Sequence, residues 1–201
     1  MVEIKHIQQQ NDGCNWKCGA VCLEMIFDYY KIPCKQDDVW NAVKTNRNGS
    51  KIQKFALTHS LAKYSIHRCL NATVYKADAD TWPDVLDKLE QLSIPVILSV
   101  KYKNTNFAHF IIYLGRKDGN YYFDDPDLAK APVRYDYSQV REKWSPHGKE
   151  VTGFVYIIFE GDTTTHTCIH CNQEYPVLVR GKAPFSNVTI CPYCDGLNHA
   201  E

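Results

Sequence analysis

The sequence predicts an α+β fold, with helices packed on an antiparallel sheet and a small cysteine-rich appendage after it. Three observations predict it. Apolar stripes of helical period fill the first part of the chain, strand-like runs joined by a tight turn follow, and two C-x-x-C pairs come last. The 201 residues are enough for one core plus an appendage. Hydrophobic residues at 44% and charged residues at 23% are those of an ordinary globular chain. Lys+Arg and Asp+Glu balance at 23 each, which argues against a general nucleic-acid or membrane-surface binder. No apolar run reaches the length of a membrane span. Glu3, Lys5 and His6 stand where an export signal would be apolar, so a cytoplasmic protein is expected.

Val2, Ile4 and His6 alternate with Glu3 and Lys5, the pattern of a short lead-in strand. Irregular chain follows to Gly19. Cys22, Leu23, Ile26, Phe27 and Tyr30 then recur on one helix face, and Pro33 ends that helix. Cys18 therefore sits where a loop becomes the N-terminus of a core helix, whose unpaired N–H groups favour a thiolate. A helix terminus is worth only about 0.3–1 kcal/mol to a charge, so an imidazolium must supply the rest of a strong activation.

A second helix is expected over Asp37–Lys44, then a loop at Asn46–Gly49. Ser50 and Gln53 have capping-box spacing for a third helix that buries Ile52, Phe55, Ala56 and Leu61. Extended chain follows through Ile66, Cys69 and Val74. Cys22 and Cys69 read as small buried hydrophobes, and Cys34 has no assigned role. Thr81-Trp82-Pro83-Asp84 opens a helix with Val85, Leu86, Leu89 and Leu92 on one face. Strands are expected over Ile94–Tyr102, His109–Gly115, Tyr121–Phe123 and Val151–Phe159, with Asp118-Gly119 as a hairpin turn. The body spans residues 1–160. Residues 161–167 are polar and without period, the composition of a linker, and 168–201 form the appendage.

Of eight histidines, His109 is singular because it begins a core strand. One hairpin later the chain gives Asp124-Asp125-Pro126, so either Asp124 or Asp125 returns beside it. A cation and its orienter are thereby supplied to a helix-terminal thiol.

Cys18-Gly19-Ala20-Val21-Cys22-Leu23-Glu24-Met25, His109-Phe110-Ile111-Ile112, Asp125-Pro126 and the Pro95–Val100 strand resemble the motifs of the C39-like cysteine peptidases of the papain-like superfamily. The likeness covers roughly residues 4–160. It implies a papain-like fold, Cys18 as nucleophile, His109 as general base and acid, Asp125 as the group holding the imidazole, and an upstream Gln in the oxyanion hole. The family's Gln lies about six residues before the nucleophile, where this chain has Asp12. Gln10 takes the role if Cys14–Lys17 is an insertion. Gln8 takes it if Cys14 is the nucleophile. The best-known relatives are fused to transporters and cleave double-glycine leaders, a substrate that does not carry over to a chain without a transporter.

Cys168-Ile169-His170-Cys171 and Cys191-Pro192-Tyr193-Cys194 are separated by 19 residues, the spacing of a zinc ribbon. One structural Zn²⁺ per chain is expected on Cys168, Cys171, Cys191 and Cys194, with two disulfides as the alternative. The ribbon would dock a protein partner or substrate, since Arg180 and Lys182 are too few for nucleic acid. The reading is a cysteine hydrolase acting on a peptide or isopeptide bond of a peptide or protein substrate. An acyltransferase using the same thioester, and a zinc-ribbon adaptor with an inactive body, are the alternatives.

Overall fold

The computed structural model describes residues 1–10, 16–47, 53–180 and 183–199. Five helices are present among them: α1 (Cys18–Tyr29), α2 (Gln36–Val43), α3 (Thr58–His67), α4 (Trp82–Leu92) and α5 (Tyr137–Trp144). Two small sheets, of two and three strands, stand outside the main sheet. β1 (Lys44–Asn46) pairs with β2 (Lys54–Ala56), and β10 (Glu174–Arg180) lies between β9 (Asp162–Thr167) and β11 (Ala183–Pro184). The main sheet is made of β3 (Ala72–Lys76), β4 (Val96–Lys101), β5 (Ala108–Lys117), β6 (Asn120–Asp124), β7 (Val133–Tyr135), β8 (Val155–Phe159), β12 (Val188–Ile190) and β13 (Leu197–His199). Its eight strands run β13-β12-β3-β8-β4-β5-β6-β7, each pair antiparallel.

The sheet is buried on both faces, which is why β4, β5 and β8 read as near-continuous apolar runs. Alternation still sorts the side chains. Phe110, Ile112, Val155 and Ile157 meet α1, α2 and α3 on one face. Ile111, Tyr113, Tyr156 and Ile158 meet α4, α5 and the C-terminal strands on the other. Trp82 and Trp144 anchor that second core. Both are wholly buried, their rings 6.0 Å apart, and the Trp144 indole N–H donates to the Val155 carbonyl at 3.0 Å.

Several expectations are corrected. Residues 2–6 form no strand; they alternate in exposure, and their backbone–backbone bonding among the described residues is the one from Val2 N–H to the Leu114 carbonyl. The third helix starts at Thr58, so Phe55 and Ala56 belong to β2, while Ser50 and Ile52 lie outside the described residues. Cys69 is exposed in a turn at φ 62°, where its neighbours cannot bury it. Residues 162–167, expected as a linker, are β9: paired along its whole length with β10, it takes its order from backbone bonds that a polar sequence does not advertise. Nor does the segment after residue 168 stand apart. Through β12 it extends the main sheet at β3, and the Thr73 hydroxyl accepts from the Leu178 N–H at 2.8 Å and donates to the Pro176 carbonyl at 3.0 Å. The Tyr75 hydroxyl donates to the Leu178 carbonyl.

Candidate active site

Cys18 is the first residue of α1 and is 3% exposed. The helix can seat its terminus this deep because Gly19 has no side chain. A Cβ there would come within 2.9 Å of both Leu61 Cδ1 and Phe110 Cδ2. No side chain caps α1, so its first-turn N–H groups remain available to an anion at the sulfur.

His109 lies on β5, one residue in from its start, and is 3% exposed. Its Nε2 is 2.7 Å from Asp125 Oδ1. Burial alone would push the imidazole down. The charge of the Cys18 sulfur and the hydrogen bond to Asp125 outweigh it, and the ring is pushed up to about 10. Nδ1 is buried with no partner of regular hydrogen-bond geometry, so the sulfur's hold on that side of the ring is chiefly one of charge. The imidazole is held between a sulfur and a carboxylate, both of which favour its charged form.

Asp125 follows the last residue of β6. Burial would raise its carboxyl, but the His109 hydrogen bond and charge hold it below the usual carboxylate range. The Asp127 N–H donates to the same Oδ1 at 3.0 Å. Asp124 faces elsewhere: its Oδ1 is 2.7 Å from His6 Nδ1, while His6 Nε2 donates to the Leu128 carbonyl at 3.0 Å. The structure thus brings Cys18, His109 and Asp125 together and sends Asp124 to a separate contact.

The glutamines divide differently from the sequence reading. Gln8 and Gln10 are exposed, and the Gln10 backbone N–H points to Gln36 Oε1 at 3.4 Å. Gln9, which sequence reasoning passed over, is half-buried. Its amide donates to Asp127 Oδ1 at 2.8 Å, and its backbone N–H donates to the Pro126 carbonyl at 2.8 Å. Asp127 Oδ2 in turn receives the Tyr102 hydroxyl at 3.1 Å and Lys103 Nζ at 2.8 Å. The Tyr102 ring lies 5.1 Å from the His109 ring. A cavity of about 100 Å³ opens here, with His109, Asp125, Asp127, Tyr102 and Lys143 on its walls. The signal for Asp127 was legible, since it lies two residues past Asp125 in the motif strand's exit. Gln9 had none, because three consecutive glutamines look alike until a register is known. Cys14 and Asp12 lie outside the described residues.

Cys168, Cys171, Cys191 and Cys194 are free thiols whose sulfurs all lie within 4.8 Å of one another. Two edges of the group measure 3.6 Å (Cys168–Cys194) and 3.8 Å (Cys171–Cys191). The backbone N–H groups of His170 and Tyr193 each donate to a sulfur at 3.4 Å, as does the Asn198 amide at 3.6 Å. Such donors favour thiolates, and the cluster could hold a metal ion.

Among solved structures, the chain is similar to a double glycine motif protease from an AMS/PCAT transporter in complex with its leader peptide. The identity is 23% and the TM-score 0.56, over 79% of this chain and 91% of that one. It is similar also to the peptidase domain of Streptococcus ComA, a bifunctional ABC transporter of a quorum-sensing pathway, at 18% identity and TM-score 0.60 over 81% and 100%. A C39-like peptidase from Bacillus anthracis matches at 15% identity and TM-score 0.62, over 81% and 96%. At these identities the likeness is one of fold. Comparison with curated proteins gives no match. The Peptidase C39 family matches residues 3–149, most of the chain. A helix-terminal cysteine facing a histidine on that fold, with the family's sequence pattern running through both, makes this chain a member of the peptidase C39 family and a cysteine peptidase-like enzyme.

Proposed function

We propose that the chain hydrolyses a peptide bond with Cys18 as nucleophile, His109 as general acid and base, and Asp125 as the group that orients the imidazole. The observation that carries this reading is the line sulfur–imidazole–carboxylate at the N-terminus of α1, with Nε2 2.7 Å from Asp125 and the ring raised by the Cys18 charge. The Cys18 thiolate attacks the scissile carbonyl, and the oxyanion forms beside the unpaired N–H groups of the first helical turn. The His109 imidazolium passes its proton to the departing amine, leaving a thioester. Neutral His109 then takes a proton from water, whose oxygen attacks the thioester and releases the acid. Gln10 is the second oxyanion donor in this scheme, because its exposed side chain is open to a substrate while the Gln9 amide is held by Asp127. A peptide is the substrate class, in line with the family and with the leader peptide bound to one structural relative.

The four-cysteine cluster is a zinc site in the same reading. Zn–S bonds of about 2.3 Å in a tetrahedron place sulfurs roughly 3.8 Å apart, close to the 3.6 and 3.8 Å edges. Cys168, Cys171, Cys191 and Cys194 would hold it, and four thiolates leave no open position, so the ion supplies structure.

Alkylation with iodoacetamide at mildly acidic pH, followed by peptide mapping, tests the nucleophile. Cys18 is expected to react before the other cysteines of residues 1–160, slowly in His109→Ala and not at all in Cys18→Ala. Preferential modification of Cys14, or labelling indifferent to His109→Ala, would sink the assignment.

A further inference from the structure

Arg47 is a charged side chain with an unusual address. It is 1% exposed, yet it lies in no hydrophobic helix face and caps no helix. Its guanidinium is packed against three rings, with Trp16 at 5.0 Å, Phe55 at 5.0 Å and Phe107 at 4.3 Å. Its Nε lies 3.2 Å from Glu150 Oε1, and its terminal nitrogens are buried without a hydrogen-bond partner among the described residues. A buried, under-bonded cation is costly. A planar, delocalised one surrounded by ring faces recovers part of that cost, which a lysine ammonium would not do equally well.

What the cage joins gives it a purpose. Trp16 stands two residues before Cys18, and Phe107 stands two residues before His109. Their rings also meet each other at 5.8 Å. Glu150, the ion-pair partner, uses its other oxygen to accept from the N–H of Ala108, the neighbour of His109, at 3.4 Å. Phe55 lies on β2, where the carbonyl of Lys54 accepts from the Trp16 N–H at 3.2 Å. Trp16 reaches the His109 ring by a second route, since it packs edge-on to Tyr102 at 4.9 Å, and Tyr102 packs on His109. Thus the ring and ion-pair contacts of the Arg47 side chain lead to the segments that run into Cys18 and His109, or to the strand that holds Trp16.

We propose that Arg47 is a positioning residue that sets the separation of Cys18 and His109 by clamping the segments that lead into them. The proposal rests on the triad reading above. It predicts a loss of coupling between sulfur and imidazole when the clamp is removed, because their attraction falls with distance. The titratable groups that face the imidazole are Cys18, Asp125 and Tyr102, and the group that faces Arg47 is Glu150. None of them is altered by substitution at position 47.

The test uses the full chain and needs no substrate. The rate of iodoacetamide modification at Cys18 is followed from pH 4 to pH 10 in the native protein, Arg47→Met and Arg47→Lys, beside a thermal melt of each. Arg47→Met is expected to move the midpoint of modification to higher pH, with about a tenfold slower reaction in the acid range for each unit moved. Arg47→Lys should recover only part of the shift, since it restores the charge for Glu150 without the plane that stacks. Phe107→Leu, which keeps the arginine and removes the nearest ring, should shift the midpoint in the same direction and serves if Arg47→Met does not fold. A lower melting temperature with an unmoved midpoint in the folded variants would overturn the proposal and leave Arg47 a packing residue. If native modification does not occur at Cys18, the triad reading fails first, which is a separate and visible outcome.

Discussion

Asp124 and Asp125 are adjacent and have opposite surroundings, because neighbours on a strand point to opposite faces. Asp125 carries His109, and the imidazole keeps its carboxyl low. Asp124 is 1% exposed, and burial raises its carboxyl against the pull of His6. Asp125→Asn is expected to leave the fold intact and to slow turnover, with His109→Ala slower still. Asp124→Asn should instead lower stability by roughly 1–3 kcal/mol, the scale of a buried charged hydrogen bond. Urea titration beside an activity assay on any cleaved peptide separates the two effects. The histidine has its own signature. Its folded value of about 10 lies above the ordinary 6.5, so its contribution to stability is full below about 6.5 and declines as pH rises towards 10. Asp125 acts in the other sense, since its lowered value contributes stability above about 4 that is lost as pH falls. Because the Cys18 charge is the strongest influence raising the ring, Cys18→Ala should flatten the alkaline decline in denaturant-derived stability. An unchanged alkaline slope would mean that Asp125 alone sustains the imidazolium.

At the level of elements, what was legible follows from how each element is buried. α1 and α4 were readable because each sets a dense apolar face against the sheet, and Trp82-Pro83 opens α4 with proline in its first turn. The β5–β6 hairpin was readable because Asp118 and Gly119 both adopt positive φ, at 50° and 76°, as their sequence suggested. α3 was misplaced because the spacing of Ile52, Phe55, Ala56 and Leu61 suits a helical stripe, whereas Phe55-Ala56 fits a strand as well and α3 begins only at Thr58. α5 was missed although it carried a signal. Only Val140 and Trp144 are buried in it, but Asp136 and Gln139 form a complete capping box. The juxtaposition of His109 with Asp125 was legible by motif and hairpin geometry; the settings of Arg47 and Gln9 were not, since they depend on segments far away in sequence. Gly19→Ala tests the tightest junction of these elements. With 2.9 Å to Leu61 and to Phe110, the added methyl must displace α1 or its neighbours, and a loss of roughly 1–3 kcal/mol is expected in a thermal or urea melt. A neutral result would mean that α3 yields freely at this point.

For the whole molecule, the segment that bears the four clustered cysteines is part of the structure that carries Cys18, His109 and Asp125. Cys168, Cys191, Tyr175 and Leu178 share a core with Trp82 and Tyr156, and β12 covers the edge of β3. The junction extends to α3, where His59 Nδ1 lies 2.9 Å from Asp195 Oδ1 and Lys63 Nζ lies 5.6 Å from the Tyr193 ring. A chain cut after residue 160 is therefore expected to expose apolar surface and an unpaired strand, and to aggregate or bind a hydrophobic dye instead of melting cooperatively. With zinc on the four cysteines, as proposed, treatment with a chelator should lower the melting temperature of the whole chain in one transition. Two transitions, with that of residues 1–160 unmoved, would show an independent appendage.

The place of β3 in the sheet also fixes an order in time. Its two neighbours are β8 (Val155–Phe159) and β12 (Val188–Ile190), so a strand made early in synthesis waits for partners made late. Pairing across such separations is slow, because the intervening chain must be closed into a loop before any contact rewards it. Cys18 leaves the ribosome long before His109, and the sheet that carries His109 is completed only when residues 188–199 arrive. On the proposed reading the pair of Cys18 and His109 is thus assembled late, with the closing strands.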